Sequence, residues 1–125
     1  MIGDTVNEFQ KRIHKFTEER DWGQFHNPKD LLLGIVEEIG EMRNIVKWEQ
    51  NHGKLKQALL DNKEEIEDNI GDLYWFLALF ANSAEVNIDA AIDKVITKNE
   101  ARFPVQDVKS EHTNIYLGGK NKQYE

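Results

Sequence analysis

Two groups of acidic residues have the types and spacing for chemistry. Glu37, Glu38 and Glu41 form the first, and Glu65, Asp68 and Asp72, with Asn69 among them, form the second. At about 100° per residue on a helix, Glu38 and Glu41 lie about 60° apart, while Glu37 turns roughly to the opposite side. Glu65, Asn69, Asp72 and Phe76 follow one another at spacings of four, three and four, so they share one line of a second helix. If the two helices pack antiparallel, these rows face each other across a shallow cleft. Carboxylates gathered there repel unless a cation lies between them. Hard oxygen donors suit Mg²⁺, with Mn²⁺ as the alternative, and such ions commonly mediate phosphate chemistry. Acidic residues at helical spacing also make plain solvated faces. Spacing alone leaves the two readings evenly balanced.

The elements that must carry these rows are helices. Thr5-Val6-Asn7-Glu8 has the form of a capping box, and Val6, Phe9, Ile13 and Phe16 then recur at spacings of three and four, as far as about Arg20. Asp21 to His26 reads as an aromatic-rich loop. Asn27-Pro28 opens a second helix, because Asn caps and Pro tolerates the first helical position. That helix is expected to reach about Glu49 on a core stripe of Leu32, Ile35, Val36, Ile39, Met42 and Val46. Asn51-His52-Gly53 ends it, and a short extra turn is expected over residues 54–60. A third helix begins at Asp61 or Asn62, with Glu64 or Glu65 three residues on. Its expected stripe is Ile66, Ile70, Leu73, Leu77, Phe80 and Ala84. A fourth runs from after Asn87 through Ile88, Ala91, Ile92 and Val95 to about Arg102, where Pro104 stops it. The expected architecture is an all-α four-helix bundle over residues 1–104 with a polar tail over 105–125, looser at Gly118 to Lys122.

Composition narrows the function. The 125 residues fit one domain and carry a formal charge of −7, which opposes nucleic-acid binding because that depends on basic side chains neutralising phosphates. A small polyanionic substrate is still compatible when a divalent ion reverses the local field. There are no cysteines, so thiolate zinc sites, disulfides and cysteine nucleophiles are excluded, and a cytoplasmic setting is expected. No apolar run is long enough to span a bilayer, and Met1-Ile2-Gly3-Asp4 does not begin a leader pattern. Neither a membrane nor a nucleic-acid partner is expected.

Glu37-Glu38-Ile39-Gly40-Glu41 followed by Asn69-Ile70-Gly71-Asp72 resembles the EExxE and ExxD signature of the MazG-like all-α nucleoside triphosphate pyrophosphohydrolases. Asn69 stands where that family usually has Glu. Glu19 to Trp22, Gln24 to His26, Pro28, Leu31 to Leu33, Trp48, Asn99 and Arg102 to Pro104 look like the dCTP pyrophosphatase branch, so the likeness covers roughly residues 8–104. It implies Mg²⁺ held by Glu38, Glu41 and Asp72, the same three acids being catalytic, with Asn69 as a neutral oxygen in the remaining place. It also implies that Trp22, His26, Trp48 and Phe76 enclose a nucleotide while Lys98, Asn99 and Arg102 contact it from the fourth helix. The expected reaction splits the α–β anhydride of a (deoxy)nucleoside triphosphate, such as dCTP or a noncanonical analogue, in sanitation of the nucleotide pool.

Three departures bear on that expectation. Asn69 removes one negative charge, which Glu65 or Asp68 would have to restore. Phe76 replaces a Tyr of the closest branch, and Val95 replaces a Lys. The resemblance further implies a homotetramer, a dimer of dimers. Leu31, Tyr74 and Trp75, off the expected core stripes, agree with burial between subunits. The aromatic residues also have a plain reading as packing groups at the end of a bundle. The alternatives are a non-catalytic helical oligomerisation or binding module, and an enzyme of the same superfamily acting on another nucleotide such as dUTP.

Overall fold

The computed structural model describes residues 6–110, which form helices and no strand. Thr5, the start of the expected capping box, and the tail from Gly118 to Lys122 lie outside the described residues. The helices are α1 (Val6–Glu19), α2 (Pro28–Val46), α3 (Leu55–Asp61), α4 (Lys63–Ser83), α5 (Ile88–Arg102) and α6 (Val105–Val108). Single 3₁₀ turns span Trp22–Phe25 and His52–Lys54. The all-α class is the one expected, and a long helix stands at each of the four expected places. The described residues divide into two compact units, one ending at Ile88 and the other beginning at Asp89.

Local chemistry explains the boundaries. Asn27 Oδ1 accepts from the Lys29 backbone N–H at 2.8 Å, and Pro28 follows at the first helical position, so α2 starts where the sequence places it. Its end comes three residues earlier than expected, at Val46. Asn51 then caps the next 3₁₀ turn, accepting from Gly53 N–H at 2.9 Å. The expected cap of α4 does not form. Asn62 instead donates to the Ala58 carbonyl at 2.8 Å, and Asp61 accepts from Gln57 at 2.8 Å. Because α3 runs almost directly into α4, both side chains serve the helix behind them. Pro104 does end α5, and the segment after it forms one short further helix.

In the first unit α2 and α1 both pack along α4. On α2 the inward positions are Leu31, Ile35, Glu38, Met42 and Ile45, all buried or half-buried, and on α4 they are Asn62, Ile66, Asn69, Leu73, Phe76 and Phe80. Each series alternates steps of four and three, the 3.5-residue rhythm of a helix pair that interdigitates along one seam. Gly34 faces Phe76, while Glu38 and Glu41 face Asn69, so numbers rise on one helix as they fall on the other. The pair is antiparallel.

This seam corrects the stripe expected on α2. Leu31, expected off the core, is only 4% exposed, whereas Leu32, Val36 and Ile39 are exposed. On α4, Ile70 and Ala84 are exposed and Asn69 is buried in their stead. The physical reason is that α2 offers apolar residues on two adjacent faces, and the inward one carries a carboxylate at its middle. A rule that seats polar groups outside selects the other face.

Along the α1–α4 side, Ala78, Ala81 and Ile88 form a small apolar cluster with Val6, Ile13 and Leu77 against it. Gln10, 7% exposed, ties this side to the turn after α4. Its Nε2 donates to Asn82 Oδ1 at 2.9 Å and to the Val86 carbonyl at 2.7 Å, and its Oε1 accepts from the Ile88 N–H at 3.0 Å. Those bonds hold the helix end at which Glu85 takes a positive φ of 56°.

Candidate active site

The α2–α4 seam brings Glu38, Glu41 and Asn69 together. Asn69 Nδ2 donates to Glu38 Oε2 at 3.0 Å and to Glu41 Oε2 at 2.6 Å. Both carboxylates therefore converge on one nitrogen. Asn69 is 4% exposed, and its Oδ1 is buried with no hydrogen-bond partner. Glu38 is half-buried and Glu41 exposed, so the pair reaches from the seam toward solvent. An amide oxygen left unpaired in a protein interior costs about 1–3 kcal/mol. Such an atom marks a place where a donor or cation belongs.

Asp72, Glu65, Asp68 and Glu37 are all exposed. Among the described residues no three His, Asp or Glu side chains are already gathered around a metal-sized space. What the fold supplies ready-made is two carboxylates and one orphan amide oxygen. These are hard donors, the class that suits Mg²⁺ or Mn²⁺.

The aromatic candidates take different places. Phe76 is half-buried against Gly34, where a Cβ would sit 3.0 Å from its ring, so it packs in the seam itself. Trp22 meets Phe16 edge to face at 5.5 Å, and Phe16 meets Trp75 the same way at 5.2 Å. Arg20 lies 3.5 Å over the centre of the Phe16 ring. Trp22 thus belongs to an aromatic cluster beside α1, with part of its surface still open. His26, half-buried, closes the 3₁₀ turn by donating its N–H to the Gly23 carbonyl at 3.2 Å. Trp48 is 82% exposed just past the end of α2, with the Lys47 ammonium 5.1 Å from its ring centre. Lys98, Asn99 and Arg102 lie on α5 in the second unit, all exposed.

A recess of about 410 Å³ between α1 and α4 is lined mainly by Val6, Phe9, Ile13, Tyr74 and Trp75. It contains no carboxylate. The recess is apolar, and the donors for phosphate or metal chemistry are on the α2–α4 seam.

Sequence reasoning misses one contributor, Gly34, and does not foresee how Asn69 is bonded. Gly34 lets the Phe76 ring approach α2, and a glycine inside a strongly periodic helix was the available signal. Asn69 was read as a weak substitute for a ligand, and its bonds to both carboxylates had no signal in the spacing.

Comparison with known proteins fits this geometry. Residues 26–106 match the profile of the MazG nucleotide pyrophosphohydrolase domain, a span that includes both the Glu38–Glu41 pair and Asn69. The chain is 31% identical over 97 residues to dCTP pyrophosphatase 1 of Rattus norvegicus, covering 76% of this chain and 57% of that protein. It is 28% identical over 102 residues to dCTP pyrophosphatase 1 of Homo sapiens, covering 80% and 60%. It therefore spans less than two thirds of either relative. The crystal structure of a pyrophosphatase from Archaeoglobus fulgidus superposes with a TM-score of 0.70 at 27% identity, over 83% of this chain and 96% of that one. By the matched span and by its place among these relatives, the chain belongs to the MazG nucleotide pyrophosphohydrolase family.

Proposed function

We propose that this chain is a divalent-metal-dependent nucleoside triphosphate pyrophosphohydrolase that prefers a deoxynucleotide of the dCTP kind or a noncanonical analogue. The observation that carries the reading is the convergence of Glu38 and Glu41 on the buried Asn69 amide, within the span matched by the family. The residues fit a Mg²⁺ ion. Glu38 and Glu41 offer carboxylate oxygens that the Asn69 amide holds side by side, Asn69 would add its own unpartnered oxygen only by turning that amide over, and Asp72 lies three residues along the same helix. When bound, such an ion polarises phosphoryl oxygens and lowers the pKa of a coordinated water.

The protein's own groups do the positioning. Half-burial of Glu38 lowers the dielectric around its charge and strengthens its pull on a cation. The open indole of Trp48 presents a face on which a base can stack, and the neighbouring Lys47 ammonium is available to a phosphate. Trp22 and His26 would complete the nucleotide enclosure. Phe76 acts on the site through the seam, by fixing how closely α2 approaches α4. Exposed Leu32, Leu33, Val36 and Ile39 on α2 support assembly of several copies, up to the homotetramer expected from the resemblance. The role would be removal of unwanted nucleotides from a cytoplasmic pool. Among the described residues no helix is long and apolar enough to cross a membrane.

Pyrophosphate release from the common dNTPs and NTPs, measured in Mg²⁺ and in EDTA, tests the reading. Release is expected only with Mg²⁺, highest with dCTP among the common nucleotides. Failure of the folded protein to release pyrophosphate from any of them would leave the non-catalytic alternative or a noncanonical substrate. A clear preference for dUTP would keep the enzyme and change its substrate.

A further inference from the structure

On the metal-dependent reading proposed above, Asn69 is the residue at which this chain departs from the signature it otherwise follows. Asn69 Nδ2 carries two hydrogens, and both are given to carboxylates, one on Glu38 and one on Glu41. The two accepting oxygens cannot lie farther apart than the sum of those hydrogen-bond lengths. They are held as a pair. Bonds from an amide to ionised carboxylates are charge-assisted, shorter and stronger than neutral ones, and the 2.6 Å contact to Glu41 is of that kind.

A carboxylate at position 69 would do the opposite. Three like charges meeting on a half-buried seam push apart until a cation joins them. The amide instead presents positive N–H dipoles to both acids and brings no charge of its own. Each carboxylate keeps its second oxygen out of these bonds. The amide's own oxygen, turned away by the same two bonds, is buried and unpartnered. That oxygen lies on the far side of the amide from the acids, so the hold on the pair rests on the two N–H bonds themselves.

We propose that Asn69 is a positioning residue whose side-chain amide clamps the Glu38 and Glu41 carboxylates together in the metal-free protein. The clamp presets a cation site that a third carboxylate there would splay. The cost is one negative charge in the site, and the gain is a seam whose stability does not depend on bound metal.

The test uses the full chain without nucleotide, as wild type, Asn69→Leu and Asn69→Asp. Mn²⁺ binding is followed by the electron paramagnetic resonance signal of the free ion, and melting is followed in EDTA and in Mg²⁺. Asn69→Leu has similar volume and no hydrogen-bonding group. It is expected to fold and to bind Mn²⁺ at least about tenfold more weakly, the scale on which losing a ligand-orienting partner acts. Asn69→Asp is expected to melt at lower temperature than wild type in EDTA, to bind Mn²⁺ about tenfold more tightly through its added charge, and to gain far more from Mg²⁺.

A side chain that merely filled space at position 69 would leave Mn²⁺ affinity unchanged in Asn69→Leu. Unchanged Mn²⁺ affinity in Asn69→Leu would overturn the clamp, and so would an unchanged EDTA melting point in Asn69→Asp. If Asn69→Leu does not fold, Asn69→Ala takes its place, with the same expected loss of Mn²⁺ affinity and the same overturning result. Absence of Mn²⁺ binding by the folded wild type would overturn the metal reading itself, a result distinct from either of these.

Discussion

Two buried side-chain amides, Gln10 and Asn69, show how differently one chemical group can be used in this fold. Gln10 makes three bonds, all to neutral partners, and both its nitrogen and its oxygen are satisfied. Asn69 makes two, both to carboxylates, and its oxygen has no partner. They are almost equally buried, at 7% and 4%. Burial therefore does not separate a structural polar residue from a functional one. Completeness of bonding does. A fully paired amide in the interior has spent its capacity on the fold, whereas a half-paired one beside two acids has capacity left for a ligand.

The largest expected effect is on the Asn69 side. Glu38→Gln should lower metal-dependent pyrophosphate release by about a hundredfold or more, since loss of several kcal/mol of charge stabilisation at about 1.4 kcal/mol per tenfold gives that scale. Its melting temperature in EDTA should stay close to wild type, because the amide keeps an acceptor oxygen for Asn69. Substantial release by a folded Glu38→Gln protein would put the reaction elsewhere.

Gln10→Leu should show the reverse pattern. It leaves Asn82 Oδ1, the Val86 carbonyl and the buried Ile88 N–H without their side-chain partner, and the buried N–H so abandoned costs about 1–3 kcal/mol. Urea unfolding should report that loss as a lower midpoint with an unchanged slope. Release per folded molecule, assayed well below the melting temperature, should be unchanged. A Gln10 variant that lost activity while keeping stability would erase the distinction drawn between the two amides.

The same distinction accounts for what could be read from the sequence. Helix starts and stops were legible wherever a local signal sufficed. Asn27-Pro28 opens α2 and Pro104 closes α5, because those residues act on their own backbone. The cap expected at Asp61 or Asn62 was not legible, since nothing local says that a preceding helix will claim both side chains. The acidic rows were legible as types and spacing, but the phase of α2 was read one face out. Leu31 was placed outside and Leu32, Val36 and Ile39 inside, because Glu38 and Asn69 hold the middle of the true seam. Polar residues at inward positions break the periodic pattern at the place where a site is built. Gln10 broke it on α1 in the same way, for the sake of the fold alone.

The smallest effect worth measuring probes the link between the seam's packing and its polar centre. Gly34 is one helical turn from Glu38, and a Cβ there would approach the Phe76 ring to 3.0 Å. Gly34→Ala thus sets overpacking of about 1–3 kcal/mol against a helix-propensity gain of about 1 kcal/mol. A net loss of about 1 kcal/mol is expected, visible as a lower urea midpoint. Phe76→Leu in the same molecule should restore it, because the smaller side chain vacates the contact. The carboxylate pair is held by Asn69 and not by Phe76, so Mn²⁺ affinity should fall no more than about threefold, the equivalent of less than one kcal/mol. A fall as large as that of Asn69→Leu would mean that helix spacing, rather than the amide, sets the pair. The contrast between the two amides would then have to be redrawn as one between two packing environments.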